Sequence, residues 1–116
     1  MFEVEFYEDD HGSSPSYDFV MNMENRKLQA KIVGSLEVLA DKGGSLREPY
    51  SKHLEDGIFE LRCRVARDIA RLLYFFDEGK AVVVTNGFVK KTQKTPAKEI
   101  RLAKSRRADY LKRKGR

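Results

Sequence analysis

Three apolar runs follow one another after Gly57 with barely a turn between them: IFELRCRV, IARLLYFF and KAVVVTNGFV. Each is rich in β-branched and aromatic residues, and each junction carries turn chemistry. Arg67-Asp68 marks the first turn, and Asp77-Glu78-Gly79 is a strong hairpin signal. Strands joined so tightly pair antiparallel, so this stretch commits the chain to a small, mainly antiparallel sheet.

The remaining segments supply what covers the sheet. MFEVEFYED alternates Phe2, Val4 and Phe6 with Glu3, Glu5 and Tyr7, the period of a half-buried strand. DHGSSPS is a loop in which Ser14-Pro15 reads as an N-cap followed by proline at the first helical position. Helical patterning then runs to Lys42 in two pieces, broken around Asn22–Asn25. The second piece places Leu28, Ile32, Leu36 and Leu39 on one face, and Gly43-Gly44 stops it. SLREPYSKHLEDG reads as a loop or short irregular segment. Thr95-Pro96 opens a last helix, with Thr95 as the expected N-cap and Ile100, Ala103, Arg107 and Leu111 as its inner stripe. The expected order is β-α-α-β-β-β-α, an α+β fold. At 116 residues the chain is expected to form a single domain over 1–116, with a basic tail at about 112–116 that is flexible.

The net charge of +5 conceals a gradient. Residues 1–45 carry nine acids and four bases, residues 46–85 seven of each, and residues 86–116 two acids and twelve bases. The partner suited to such a basic end is nucleic acid or an acidic protein; the plainer reading is a solvated helix with a frayed tail. No apolar run approaches the roughly 18 to 20 residues of a membrane helix. The acidic start, MFEVEF, is unlike a signal peptide, and the single cysteine, Cys63, has no partner for an internal disulfide. A cytoplasmic location without membrane contact is expected.

Period-2 arithmetic sorts the cations by face. In IFELRCRV, Phe59, Leu61, Cys63 and Val65 share the core side, and Glu60, Arg62 and Arg64 the other. Next come Ala70, Leu72, Tyr74 and Phe76 on one side, with Arg71, Leu73 and Phe75 opposite. Phe88 ends the third run, and Lys90, Lys91 and Lys94 follow directly. Arg62, Arg64, Arg71 and the lysines therefore suit a phosphodiester backbone, with Phe88 and Tyr50 as stacking faces for an unpaired base. The competing reading leaves the arginines solvated or paired with Glu60 or Asp68. Cys63 reads as a small core hydrophobe. His53 is a candidate acid or base, and two distant histidines with one cysteine make no zinc site. No P-loop, dinucleotide fingerprint or nucleophile elbow is present.

Taken together, LEDGIFELR, RLLYFF, GFVKKTQKTP and EIRLA resemble the HigB-like, phage-derived toxins of the RelE/ParE superfamily, over nearly the whole chain. The resemblance implies an mRNA endonuclease that acts on the ribosome without metal or cofactor. It also implies neutralisation by a cognate antitoxin of helix-turn-helix type. By the same resemblance Arg62, Arg71, Lys90 and Lys91 fall on catalytic positions; the sorting of cations by face leaves Arg64, Lys94, Tyr50 and Phe88 as the expected RNA contacts. Three departures bear on this. Glu60 stands where RelE itself has a lysine, the region around Ala97 lacks RelE's C-terminal tyrosine, and no histidine lies near the last strand. The general acid and base are left open among Arg62, Lys90, Lys91 and His53. The alternatives are a ParE-like gyrase poison that cuts no RNA, or a toxin fold reduced to a binding module.

Overall fold

The computed structural model describes residues 1–89 and 94–115. Among these residues the order is β1 (Glu3–Phe6), α1 (Pro15–Met21), α2 (Arg26–Lys42), β2 (Ser51–Glu55), β3 (Ile58–Val65), β4 (Asp68–Asp77), β5 (Ala81–Val89) and α3 (Ala97–Arg113), with a 3₁₀ turn at Gly43–Ser45. The strands form a five-stranded mixed sheet ordered β1-β5-β4-β3-β2. Strands β2 to β5 pair antiparallel in sequence order, and β1 lies parallel to β5. The α+β reading holds.

β4 takes the centre because it is apolar on both faces. Ala70, Leu72 and Tyr74 enter one core, with Val82 and Val84 of β5, Val20 of α1, and Leu28, Ile32, Leu36 and Leu39 of α2. Leu73 and Phe75 enter a second core, with Ala81 and Val83, beneath Ala103 and Tyr110 of α3. Each fully buried leucine here contributes about 2 kcal/mol. Thus α1 and α2 cover one face of the sheet and α3 covers part of the other. Among the described residues no helix is long and apolar enough to cross a membrane.

One segment read as loop is a strand. SKHLE pairs with β3 through Ser51↔Leu61, Lys52↔Glu60 and His53↔Phe59. It lies at the sheet's edge, so most of its side chains meet solvent and it lacks the apolar alternation of a covered strand. The β2–β3 turn has Asp56 at φ 50° and Gly57 at φ 77°, and the β4–β5 turn has Glu78 at φ 51° and Gly79 at φ 67°. Two successive left-handed residues suit a tight hairpin, of two residues between Glu55 and Ile58 and of three between Asp77 and Ala81.

The break between α1 and α2 falls where expected: Asn22 caps the first helix, and the side chain of Asn25 accepts the Leu28 amide at 3.0 Å to start the second. The start of α3 departs from expectation. Pro96, not Thr95, occupies its N-cap position, and the Thr95 hydroxyl instead donates to Glu60. The inner stripe of α3 also shifts. Arg107 turns out to Asp56 on the β2–β3 turn, while Tyr110 is buried and donates to Asp77 at 2.9 Å. Tyr7 donates to Asp109 at 2.6 Å, and Arg106 donates to the Thr85 carbonyl at 2.8 Å.

A bulge at Thr85 resets β5. Leu73 pairs with Asn86, but the next residue, Tyr74, pairs with Val84. Beyond the bulge Gly87 faces α1, where a Cβ would sit 2.6 Å from the Phe19 ring. Gly87→Ala is therefore expected to lower stability by about 1–3 kcal/mol, with part of the loss recovered in combination with Phe19→Leu. Urea unfolding of the two single variants and the double variant measures this. A second outcome concerns acid. The Tyr7 hydroxyl, aided by Arg113, holds the Asp109 carboxyl below its ordinary value. This stabilisation is complete above the unfolded carboxyl value and is lost as pH falls through the depressed folded one. Asp109→Asn should reduce the acid sensitivity of unfolding below about pH 4, as followed by circular dichroism across a pH series.

Candidate active site

The even-numbered residues of β3 share the face that α3 only partly covers. Here Glu60 pairs across to Leu73, Arg62 to Arg71, and Arg64 to Ile69. The row through Arg62 extends in both directions. On one side Arg71 pairs with Phe88 of β5, and on the other the Arg62 amide donates to the Tyr50 carbonyl at 2.9 Å. Tyr50, Arg62, Arg71 and Phe88 thus form one line across four neighbouring backbones, about 15 Å wide at ordinary strand spacing. On this rung two arginines stand between two aromatic residues; Tyr50 lines a cleft with both arginines, while Phe88 packs against the core beneath α3.

Glu60 lies beneath this row, with no exposure to solvent. Its Oε1 accepts from Arg62 Nε at 2.7 Å and from Arg71 Nη1 at 3.5 Å. Its Oε2 accepts from the Thr95 hydroxyl, and Arg71 Nη1 also reaches Thr95 Oγ1 at 3.4 Å. The polar face is therefore a built cluster, in which two cations share one carboxylate. Asp68, the other acid considered as an arginine partner, instead accepts from Asn25 at 3.3 Å.

The two arginines differ in what they leave available. Arg71 is almost wholly buried, with a side chain 3% exposed; Arg62 is 27% exposed. Arg62 gives its Nε proton to Glu60, and its two terminal nitrogens make no hydrogen bond to any described residue. Both arginines line an open cleft of about 270 Å³ with Arg64, Tyr50, Ile69 and Lys31. Lys31, from α2, was not visible in the sequence as part of this surface, since a solvated lysine on a helix carries no positional signal. Four cations face or floor the cleft against one buried carboxylate, so the surface is electropositive.

The structure brings together Tyr50, Arg62, Arg64, Arg71 and Phe88. Lys94 is exposed, one residue before Thr95. Lys90 and Lys91 lie outside the described residues, as do Thr92 and Gln93. His53 is not brought to the cleft. It pairs with Phe59, so it belongs to the opposite face of the sheet, where its ring lies 5.0 Å from that of Phe59 and its Nε2 accepts the Gly57 amide. Cys63 is fully buried against α2, and burial raises its thiol above the ordinary value, in keeping with a core role. Among the described residues no group of three or more His, Cys, Asp or Glu side chains is arranged to hold a metal ion.

Residues 20–108 match the family model described as phage derived protein Gp49-like (DUF891), a family associated with RelE/HigB-like toxins of toxin–antitoxin pairs. The match spans α2, strands β2 to β5 and most of α3. No curated protein matches the chain.

The burial of the cluster separates two kinds of loss. Arg71→Ala removes the covered partner of a fully buried carboxylate and is expected to cost about 3–5 kcal/mol of stability. Arg62→Ala, at the partly solvated end, should cost under about 2 kcal/mol. Guanidinium unfolding of both variants measures the difference.

Proposed function

Since the chain belongs to the Gp49-like family of phage-derived proteins, we propose that it is the toxin of a type II toxin–antitoxin pair, and that it cuts mRNA on the ribosome without a metal ion. The observation that carries this reading is the row Tyr50–Arg62–Arg71–Phe88, in which Arg62 keeps both terminal nitrogens available above a buried anchor. A gyrase poison has no use for two arginines that share one buried carboxylate at the floor of an open cleft.

Single-stranded RNA brings its own nucleophile. Its 2′-hydroxyl attacks the adjacent phosphorus, a 2′,3′-cyclic phosphate forms, and the 5′-oxygen leaves with a proton. The protein must then hold the phosphate, stabilise the charge that builds on it, and move two protons. In this proposal the terminal nitrogens of Arg62 bind the non-bridging oxygens in bidentate fashion. Arg71, buried and fixed behind it, contributes a second positive charge at short range. Tyr50 and Phe88 take the bases on either side, and Arg64, Lys94 and Lys31 follow the backbone. Lys90 and Lys91 are assigned to the transition state and to proton transfer, since crowding among cations lowers a lysine's pKa toward a useful range. His53 has no part in this scheme, because the sheet stands between it and the cleft.

The partners proposed are the ribosome with its mRNA, and an antitoxin that covers the electropositive cleft with an acidic segment. Primer extension on a defined mRNA, from cells pulsed with the protein, tests the activity. Cuts within the reading frame should appear, and should vanish when the start codon of that mRNA is inactivated. Arg62→Ala should reduce cutting by about 10²- to 10³-fold. Tyr50→Ala should chiefly weaken binding, by about tenfold. Intact mRNA in growth-arrested cells would overturn the endonuclease reading and favour a gyrase poison, which DNA breaks would reveal.

A further inference from the structure

A carboxylate is an odd neighbour for a phosphate site, because it repels the ligand. Glu60 is nevertheless completely buried under the two arginines that the proposed reaction uses. Arg62 and Arg71 are direct cross-strand partners, and like charges so placed repel. Glu60 Oε1 lies between them and accepts from both, while Oε2 is taken by Thr95. Both oxygens are thus engaged within the protein, and the repulsion between the guanidiniums is offset.

The bond to Arg62 is also directional. It engages Nε alone, which fixes the guanidinium plane and leaves the opposite edge, with both terminal nitrogens, for a bidentate ligand. Thr95 extends the same restraint along the chain. It immediately precedes the N-cap of α3 and follows Lys94, so the carboxylate fastens the start of α3 beside the arginines.

We infer that Glu60 is a positioning residue: its carboxylate sets the orientation of Arg62 and Arg71 and ties the start of α3 to them, so that the phosphate meets cations already in place. The inference rests on the endonuclease reading for its effect on cleavage, and on the geometry of the cluster alone for its effect on the arginines. Pre-set charge is what such a site needs, because an arginine that must reorient during the reaction loses part of its advantage.

The test uses Glu60→Gln, which keeps the shape and removes the charge. Three measurements are made on the full chain: the arginine Nε–Hε resonances by NMR, the affinity for a mixed-sequence RNA 12-mer across a salt series, and cutting of ribosome-bound mRNA. Wild type should show a shifted, slowly exchanging Nε–Hε resonance that disappears in Arg62→Lys and is lost in Glu60→Gln. The Gln variant should bind RNA at least as tightly, with a salt slope steeper by about one, since one more cation is unneutralised. It should cut about tenfold more slowly. A merely structural role would lower binding and cutting together with the folded fraction.

Wild-type cutting by Glu60→Gln, with the Arg62 resonance unchanged, would overturn the inference. Should that variant fail to fold, Thr95→Val removes one anchor of the carboxylate without changing the cluster's charge. It should slow cutting several-fold at an unchanged salt slope, and wild-type cutting would equally overturn the inference. Where wild type itself cuts no mRNA, the endonuclease reading fails alone. The Nε–Hε resonance then decides the matter, its loss in Glu60→Gln supporting the role of Glu60 and its persistence refuting it.

Discussion

The double-sided burial of β4 governs the rest of the molecule. A strand that sends Leu72 and Tyr74 into one core and Leu73 and Phe75 into another needs covering layers above and below. It must also have strands on both flanks to satisfy its backbone. That requirement fixes β3 and β5 beside it and the helices on opposite faces. It leaves one position unresolved, Arg71, a cation in the most enclosed strand of the sheet. A buried guanidinium is tolerated only with compensation. Glu60 and Thr95 supply it from the neighbouring strand and from the approach to α3. The polar cluster thus follows from placing a charge in the middle of the fold.

Once that charge is compensated, the chemistry of the exposed face follows by adjacency. Arg62 shares the carboxylate with Arg71, so its guanidinium is held by one nitrogen and presented by two. Tyr50 and Phe88 stand at the ends of the same row because Tyr50, just before β2, and Phe88, in β5, fall on the rung of Arg62 and Arg71. In the proposed reading, stability and ligand recognition use one set of contacts. The buried end of the cluster serves the fold, and the solvated end faces the cleft.

Much of this was legible in the residues, and the reasons for the failures are physical. IFELRCRV matches β3 to the residue, and alternation along it correctly separates Leu61 and Cys63 from Arg62 and Arg64. The break around Asn22–Asn25 and the stop at Gly43-Gly44 located both ends of α2. The edge strand β2 was not seen, because a solvated edge has no hydrophobic period. The Asp56-Gly57 pair was the available signal, as the residues of a type I′ turn. Recognising it would have put His53 opposite Phe59 and away from the arginines. Nor was the burial of Glu60 readable: alternation gives the face of a residue, but what covers that face depends on Thr95 returning from 35 positions away. The bulge at Thr85 falls where Thr85-Asn86-Gly87 interrupts the apolar run, and the glycine inside the strand was the available signal.

That bulge has an evolutionary consequence. A strand is a two-state tape, and one extra residue inverts the phase of everything downstream. At Thr85 the inversion delivers Phe88 to the rung of Arg71 and Gly87 to the ring of Phe19. Substitution along β3, β4 and β5 can exchange one side chain for another at each rung, and so change what the cleft presents. It cannot transfer a rung from one face to the other. Chemistry at this surface is therefore free to drift by point change, whereas its layout is locked to chain length, and a single-codon insertion or deletion before Thr85 would turn the end of β5 inside out.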